Sequence, residues 1–477
     1  MQFDRLNINR RSMFKTIAGL SIGSTLGLTG CSDDEKIKTQ KLLQGALDKN
    51  GNEVTPWSNW SGNQSSTPNE RLIPKTTDEL SSMIKATKQH IRLVGAGHSF
   101  SPLVPTNETQ MSLAYFYGIT DINKEKKQFD VASNTFLSGV GEELWQNGMS
   151  LENMPDINTQ TFGGAIATST HGTGINYGSM SSTVKKIRLV NGLGEEIICS
   201  ENENSEIFNA ARTNIGTLGA VTNLTIQAQE NFYLKETSWM MDLEEGLAKA
   251  EQLRDEHRHF EMYALPHADY ILGITLDKIP RSKLLTSTVN SGDAIKTFKT
   301  LSKVIDTLPY LKSFIINTGA STVEKEQRTG RNYEVLGNVR DVLFNEMEYS
   351  IPAEHGIACI REILATIKKL DINVIFPIEY RYIKADDIWL SPFYQRDSCA
   401  ISCHNFHDKD YKKYFAAIEP IFWKYDGRPH WGKVHTLSAK EQRARYPKFD
   451  DFLNVRKEMD PKNIFTNNHI NQVLGLS

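Results

Sequence analysis

A chain of 477 residues, 39% apolar and 23% charged, is long enough for two domains with separate cores, which excludes the disordered and fibrous classes. Its formal net charge is −3; Arg5, Arg10, Arg11 and Lys15 against Asp4 give residues 1–30 a charge of +3, leaving the remainder near −6. A mildly acidic body argues against nucleic acid as a partner.

The first predicted element is a leader. Arg10 and Arg11 precede an apolar run from Ile17 to Leu28 that is too short to span a bilayer and too rich in glycine for a core helix. A paired arginine before a modest apolar region is the pattern of a Tat export signal. Leu28-Thr29-Gly30-Cys31 then resembles the lipobox of a bacterial lipoprotein, with Cys31 as the acylated residue. Residues 1–30 are therefore read as a Tat-like lipoprotein signal and 31–55 as a polar linker. The expected location is exported, on the periplasmic side, with lipid at Cys31 as the membrane anchor. Cys199, Cys359, Cys399 and Cys403 are too scattered for a disulfide framework and match no zinc half-sites. They read as buried thiols, and no metal is expected.

Thr76 and Glu79 form a capping box before Leu80, Met83, Ile84 and Thr87 at helical spacing. Residues 91–94 (IRLV) read as a buried strand entering the loop GAGHSFSPL, and a short helix is expected around Ser138–Asn147. VKKIRLV and EEIICS flank NGLG as a hairpin, and Leu224, Ile226 and Ala228 alternate with polar residues as a half-buried strand. Residues 56–228 thus form one α+β unit. From 229 to 434 longer helical patterns (242–257, 353–370) and strand-like runs (372–383, 399–406) describe a second, and 435–477 is a closing segment.

Two glycine clusters carry chemistry. In GAGHSFSPL, glycines let backbone amides approach a diphosphate closely. Pro102 opposes a helix starting inside this loop, so a dinucleotide there is held by a nest of amides rather than a helix end. About 70 residues on, TFGGAIATSTHGTG (161–174) offers amide and hydroxyl donors without bulk, a surface suited to a pyrophosphate or a flat ring.

With these clusters, NWSGNQ, LGAVT, IEYRYIKADDIWLSP, RPHWGK and DPKNIF follow in an order that resembles the vanillyl-alcohol-oxidase/PCMH-type FAD-linked oxidases, in the sugar 1,4-lactone oxidase branch close to the alditol oxidases. The match runs from about Trp57 to Gly475. The resemblance implies an α+β fold, a two-part FAD-binding domain with a cap domain over the flavin, and the closing segment returning to the FAD domain. It implies FAD bonded covalently through His98, with contacts from Leu93, Val94, Gly95, Ala96, Gly97, His98 and Ser99. Thr161, Gly164, Ala165, Ile166, Ala167, Val221 and His430 complete the implied cofactor set.

On the substrate side, Glu379 and Arg381 lie two apart in a strand-like run and point to one face. The carboxylate holds a hydroxyl; the guanidinium stabilises developing alkoxide charge and also weakens the carboxylate as a base. Lys433 would place a cation near the flavin's pyrimidine edge. Asp156 and His404 are expected at the substrate. Asp156 matches lactone oxidases better than alditol oxidases, which carry serine, and Pro155 matches the oxygen-using enzymes; His404 departs from the small hydroxyl residue of the alditol oxidases. Asp386 and Asp387 read as helix caps. The implied reaction is oxidation of a sugar lactone at carbon 2, with O2 or a respiratory acceptor as partner. Alditol oxidation, electron delivery to a quinone or cytochrome, and a non-catalytic periplasmic binding lipoprotein are the alternatives.

Overall fold

The computed structural model describes residues 46–47, 53–285, 294–338 and 342–476. The expected signal, Cys31 and most of the linker lie outside the described residues. In Met1–Thr55, Ala46–Leu47 pairs antiparallel with Glu53–Val54, a short hairpin inside the segment read as linker. The intervening sequence contains Asn50-Gly51, a hairpin signal.

After a two-residue antiparallel ladder of Trp57–Ser58 with Ser65–Ser66, Pro56–Ser477 builds a parallel three-stranded sheet in which β1 (Glu70–Leu72) and β2 (Ile91–Val94) flank β3 (Thr109–Ser112). Helix α1 (Thr77–Ala86) connects β1 to β2. Its cap matches expectation: Thr76 Oγ1 accepts from the Glu79 amide at 3.2 Å, and the Glu79 carboxylate accepts from the Lys75 amide at 2.8 Å. Leu80 and Ile84, four apart on one helix face, share a core with Ile91 and Met111 of the sheet.

A five-stranded antiparallel sheet follows, built from β4 (Ile119–Asn123), β5 (Gln128–Ala132), β6 (Val184–Val190), β7 (Glu196–Ser200) and β8 (Ala220–Gln227) in the order β7-β6-β8-β5-β4. The β6–β7 hairpin is the one expected. Between β5 and β6 the second glycine cluster differs from the sequence reading, because its start folds as a short helix, α2 (Phe162–Ala167). Thr161 caps it, and Phe162 and Ile166, four apart, are buried in the core. That burial outweighs the low helix propensity of Gly163-Gly164.

The third sheet has eight strands. In chain order these are β9 (Tyr233–Asp242), β10 (His259–Ala264), β11 (Tyr270–Ile279), β12 (Glu326–Arg331), β13 (Phe344–Pro352), β14 (Ile378–Ile383), β15 (Ser398–Phe406) and β16 (Arg428–Pro429). They pair antiparallel in the order β12-β9-β11-β10-β14-β15-β13-β16. Helices α3 (Leu243–Glu256), α4 (Gly356–Lys369) and α5 (Lys412–Lys424) pack on this sheet. Strand β14 is shorter than the expected run from 372, since Pro377 has no amide to give a ladder. Asp386 and Asp387 cap no helix. Asp386 closes a turn, accepting from the Ile388 amide at 3.2 Å and Ser391 Oγ at 2.6 Å, while Asp387 pairs with Arg212 at 2.8 Å.

Helices α6 (Ala439–Arg445), α7 (Phe449–Met459) and α8 (Asn468–Leu474) carry the chain back, and Phe452, Val455 and Ile470 share a core with Ile187, Leu189 and Leu224 of the five-stranded sheet. Arg92, 2% exposed, ties this return in place by donating to the carbonyls of Leu103, Ile215, Gly216 and Phe465 at 2.7–3.1 Å. The four described cysteines are buried free thiols.

His259 at the head of β10 is fully buried; its Nδ1–H donates to the Thr173 carbonyl at 2.7 Å and its Nε2 has no partner among the described residues. Burial, with Arg258 beside it, pushes the ring down to about 3, so the folded chain holds it neutral. Because the unfolded ring titrates near 6.5, stability is complete above that pH and falls as pH drops towards the folded value, by up to about 1.4 kcal/mol per unit. Urea unfolding at pH 7 and pH 5 is expected to show a loss that is smaller in His259→Phe by about 2 kcal/mol. An equal loss in both chains would rule this residue out as the sensor.

Candidate active site

The first glycine loop is aimed by its neighbours. The Trp60 amide donates to the Gly97 carbonyl at 2.8 Å, Asn59 Nδ2 to the Ser99 carbonyl at 3.0 Å, and Asn63 Nδ2 and Gln64 Nε2 to the Phe100 carbonyl at 3.0 Å. NWSGNQ thus collects the loop's carbonyls on one side. Among the described residues the amides of Ala96, Gly97, His98 and Ser99 donate to no protein acceptor. No helix begins in the loop, and Gly97 takes φ +70°, a left-handed turn that glycine adopts without strain. The loop is also fastened to RPHWGK: the Phe100 amide donates to the Gly432 carbonyl at 2.7 Å and Ser101 Oγ to the Trp431 carbonyl at 2.6 Å.

These amides line a cleft of about 1670 Å³ of empty space, its mouth included. Helix α2 forms part of the wall. The Phe162 and Gly163 amides are already taken by the Thr135 and Ser133 carbonyls at 2.9 and 2.7 Å, whereas the first loop's amides from Ala96 to Ser99 remain free to meet a diphosphate. A Cβ on Gly164 would meet only Thr161 Oγ1, at 3.2 Å, and otherwise stand in the cleft. Four unpartnered amides and a glycine-floored hollow fit FAD. Gly164→Val is accordingly expected to cut flavin content about tenfold or more with little change in melting temperature, read from the flavin-to-protein absorbance ratio. Wild-type flavin content would place the ring elsewhere.

Strand alternation puts the acid–base groups on the opposite wall. Glu379 and Arg381 on β14 are 6% and 8% exposed and paired at 2.5 Å (Nη2 to Oε1). Register sets Tyr263 of β10 opposite Glu379 and Glu261 opposite Arg381. The Tyr263 hydroxyl donates to Glu379 Oε1, and Arg381 Nε donates to Glu261 Oε2 at 2.8 Å. Burial, assisted by Glu379 and Asp156, outweighs Arg381 and raises the Glu261 carboxyl, whereas Arg381 is raised by its carboxylates against the effect of burial. Glu379 Oε2 is left without a protein partner among the described residues.

Strand β13 adds two more acids to the same face. Glu346 binds Lys433 Nζ through one oxygen and lies 3.5 Å from His404 Nε2 through the other. Glu348 meets His171 Nε2 at 2.8 Å and accepts from Ser402 Oγ at 2.8 Å. Burial opposes ionisation of both, but Lys433 and His404 hold Glu346 down to about 2, and His171 and His430 hold Glu348 well below the usual range. His430 Nδ1 accepts from the Gly432 amide at 3.0 Å, and burial pushes its ring down to about 4. His98 faces the cleft with Nε2 against Thr159 Oγ1 at 2.9 Å, and burial beside Lys433 lowers it to about 4.

The cleft brings together Leu93, Val94, Gly95, Ala96, Gly97, His98, Ser99, Thr161, Gly164, Ala167, Val221 and His430 with Asp156, Glu379, Arg381, His404 and Lys433. Asp156 is held by Asn338 Nδ2 at 2.5 Å. Ala165 and Ile166 do not join them: they occupy the buried side of α2 and belong to the core. Sequence reasoning missed Glu261, Tyr263, Glu346 and Glu348. The available signal was acids two apart, or acid and tyrosine two apart, inside the otherwise apolar runs HFEMYA and FNEMEYSIP.

An amide-lined dinucleotide cleft roofed by a sheet of paired acids and cations defines a FAD-binding oxidoreductase. Residues 68–200 match the FAD binding domain family and residues 224–473 the D-arabinono-1,4-lactone oxidase family. The chain belongs to the D-arabinono-1,4-lactone oxidase family. The L-gulono-1,4-lactone dehydrogenase of Mycobacterium tuberculosis is 32% identical, with 88% of this chain and 99% of that protein covered. The L-gulonolactone oxidase of Mus musculus is 28% identical over 87% of this chain and 98% of its own length. The alditol oxidase of a Streptomyces species is 24% identical over 88% and 99%. Among solved structures, cholesterol oxidase from B. sterolicum shares the fold at a TM-score of 0.71, with 15% identity over 88% of this chain and 97% of that one.

Proposed function

We propose that the protein oxidises a hydroxyl of a sugar 1,4-lactone at carbon 2, with FAD as hydride acceptor and dioxygen regenerating the flavin to give hydrogen peroxide. One observation carries this reading: the Glu379–Arg381 pair faces the amide-lined cleft with an open carboxylate oxygen, and Lys433 stands on the same cleft wall. FAD, when bound, supplies the two-electron acceptor for the hydrogen on the carbinol carbon. Glu379 Oε2 accepts the substrate's hydroxyl proton and so turns the carbon-bound hydrogen inward. Arg381 donates its Nε–H to Glu261 and lies against Glu379 as an ion pair, and its other N–H groups are available to developing alkoxide charge. Tyr263 and Glu261 hold the pair in orientation. The lactone names of the relatives support the substrate class. The alditol oxidase relative makes polyols the second reading.

Steady-state rates on gulono- and arabinonolactone against xylitol and sorbitol test the substrate; turnover of polyols alone would overturn the lactone reading. Peroxide yield in air, set against an artificial dye acceptor, tests dioxygen against a quinone or cytochrome. We further propose that FAD is bonded to His98, whose neutral ring lines the cleft, and that the chain is exported and lipid-anchored at Cys31. Under that reading Cys31→Ser shifts the protein from the membrane to the soluble periplasmic fraction. Unchanged fractionation would remove the anchor.

A further inference from the structure

We propose that Glu346 is a positioning residue that anchors the Lys433 ammonium at the cleft wall while fixing His404 on its other side. The inference deepens the reading above, in which Lys433 serves the flavin. Lys433 follows the short strand β16 in a loop, and its side chain is 18% exposed, so packing alone does not immobilise its flexible stem. Two features restrict it. The ammonium stands over the Phe100 ring, 5.0 Å from its centroid, and it binds Glu346, the one carboxylate it pairs with among the described residues.

Glu346 is built to be fixed. It is 3% exposed on β13, directly opposite His404 of β15 in the ladder. Its backbone carbonyl accepts from the Val434 amide at 2.9 Å, so the residue holds the lysine loop by backbone and side chain together. His404 cannot drift either: Phe376 stacks on it at 4.9 Å, Phe344 meets it edge-on at 5.1 Å, and Nδ1 faces the Pro377 carbonyl at 3.3 Å. Burying a carboxylate is costly, and two cationic or hydrogen-bonding partners offset that cost. The carboxylate therefore sets where the positive charge of Lys433 sits. A free ammonium would move towards solvent and lose its effect on charge developing in the cleft.

Sulfite titration of the flavin tests this in the intact holoenzyme, because sulfite adds to oxidised flavin, bleaches it, and binds more tightly when a cation stands close. No sugar is involved, so failure of the lactone reading would show separately in the turnover assays. Glu346→Ala is expected to weaken sulfite binding about tenfold or more, with Glu346→Gln, which keeps an acceptor for Lys433, between it and wild type. In a Lys433→Met background, Glu346→Ala should add less than about a further twofold. Tighter binding in Glu346→Ala would mean that the residue acts only as a negative charge and would overturn the proposal. Unchanged binding, or an equal loss without Lys433, would overturn it as well. If Glu346→Ala does not retain flavin, the isosteric Glu346→Gln carries the same comparison.

Discussion

Arg381→Met is expected to lower kcat/KM for the lactone by about 10³-fold, the size of losing a charged donor aimed at a developing oxyanion. The side chain lies between Glu261 at 2.8 Å and Glu379 at 2.5 Å, with the field of Asp156 added. Methionine fills much of the volume but leaves three carboxyl groups without their cation. Breaking a buried pair by removing one partner costs about 3–5 kcal/mol. Part of that cost is relieved when Glu261, already raised by burial, takes up a proton. Activity and urea stability should therefore fall together in Arg381→Met. Arg381→Lys separates them: it keeps a charge but not the fork that reaches two carboxylates, so stability recovers more than turnover does. Full kcat/KM in Arg381→Met would remove the pair from the chemistry.

His98→Ala is expected to abolish acid-stable flavin. Wild-type protein precipitated with acid should give a yellow pellet, and the variant a colourless pellet with FAD in the supernatant. The ring is prepared for such a bond. Burial and the charge of Lys433 keep it neutral above about pH 4, so the nucleophilic form dominates near neutrality. Thr159 Oγ1 occupies Nε2, and Trp60 lies with its ring centroid 5.2 Å from the imidazole. The variant should still bind FAD without the bond, since the free amides from Ala96 to Ser99 are backbone groups that the substitution leaves in place. A colourless wild-type pellet would end the covalent reading and leave FAD binding intact.

Much of the site was legible because it is local. IRLV followed by GAGHSFSPL announces a strand and an open loop, and Glu379 with Arg381 announces one face of a strand, from spacing alone. The second glycine cluster was read as binding surface throughout, yet α2 turns Ala165 and Ile166 inward, because a helix divides consecutive residues between cleft and core. Asp386 looked like a cap and became a turn for want of a helix after it.

By itself the sequence determined the amide-lined loop, the acid–cation pair and the family. Tertiary structure decided what surrounds them. Glu261 meets Arg381 across 120 residues because strand register sets β10 beside β14, and Glu346 meets Lys433 across 87 because the loop after β16 is bonded back onto β13. Spacing within a strand is written in the local pattern, whereas the partner across the ladder depends on which strands pair. That pairing is settled by burial of the whole sheet, not by any one segment.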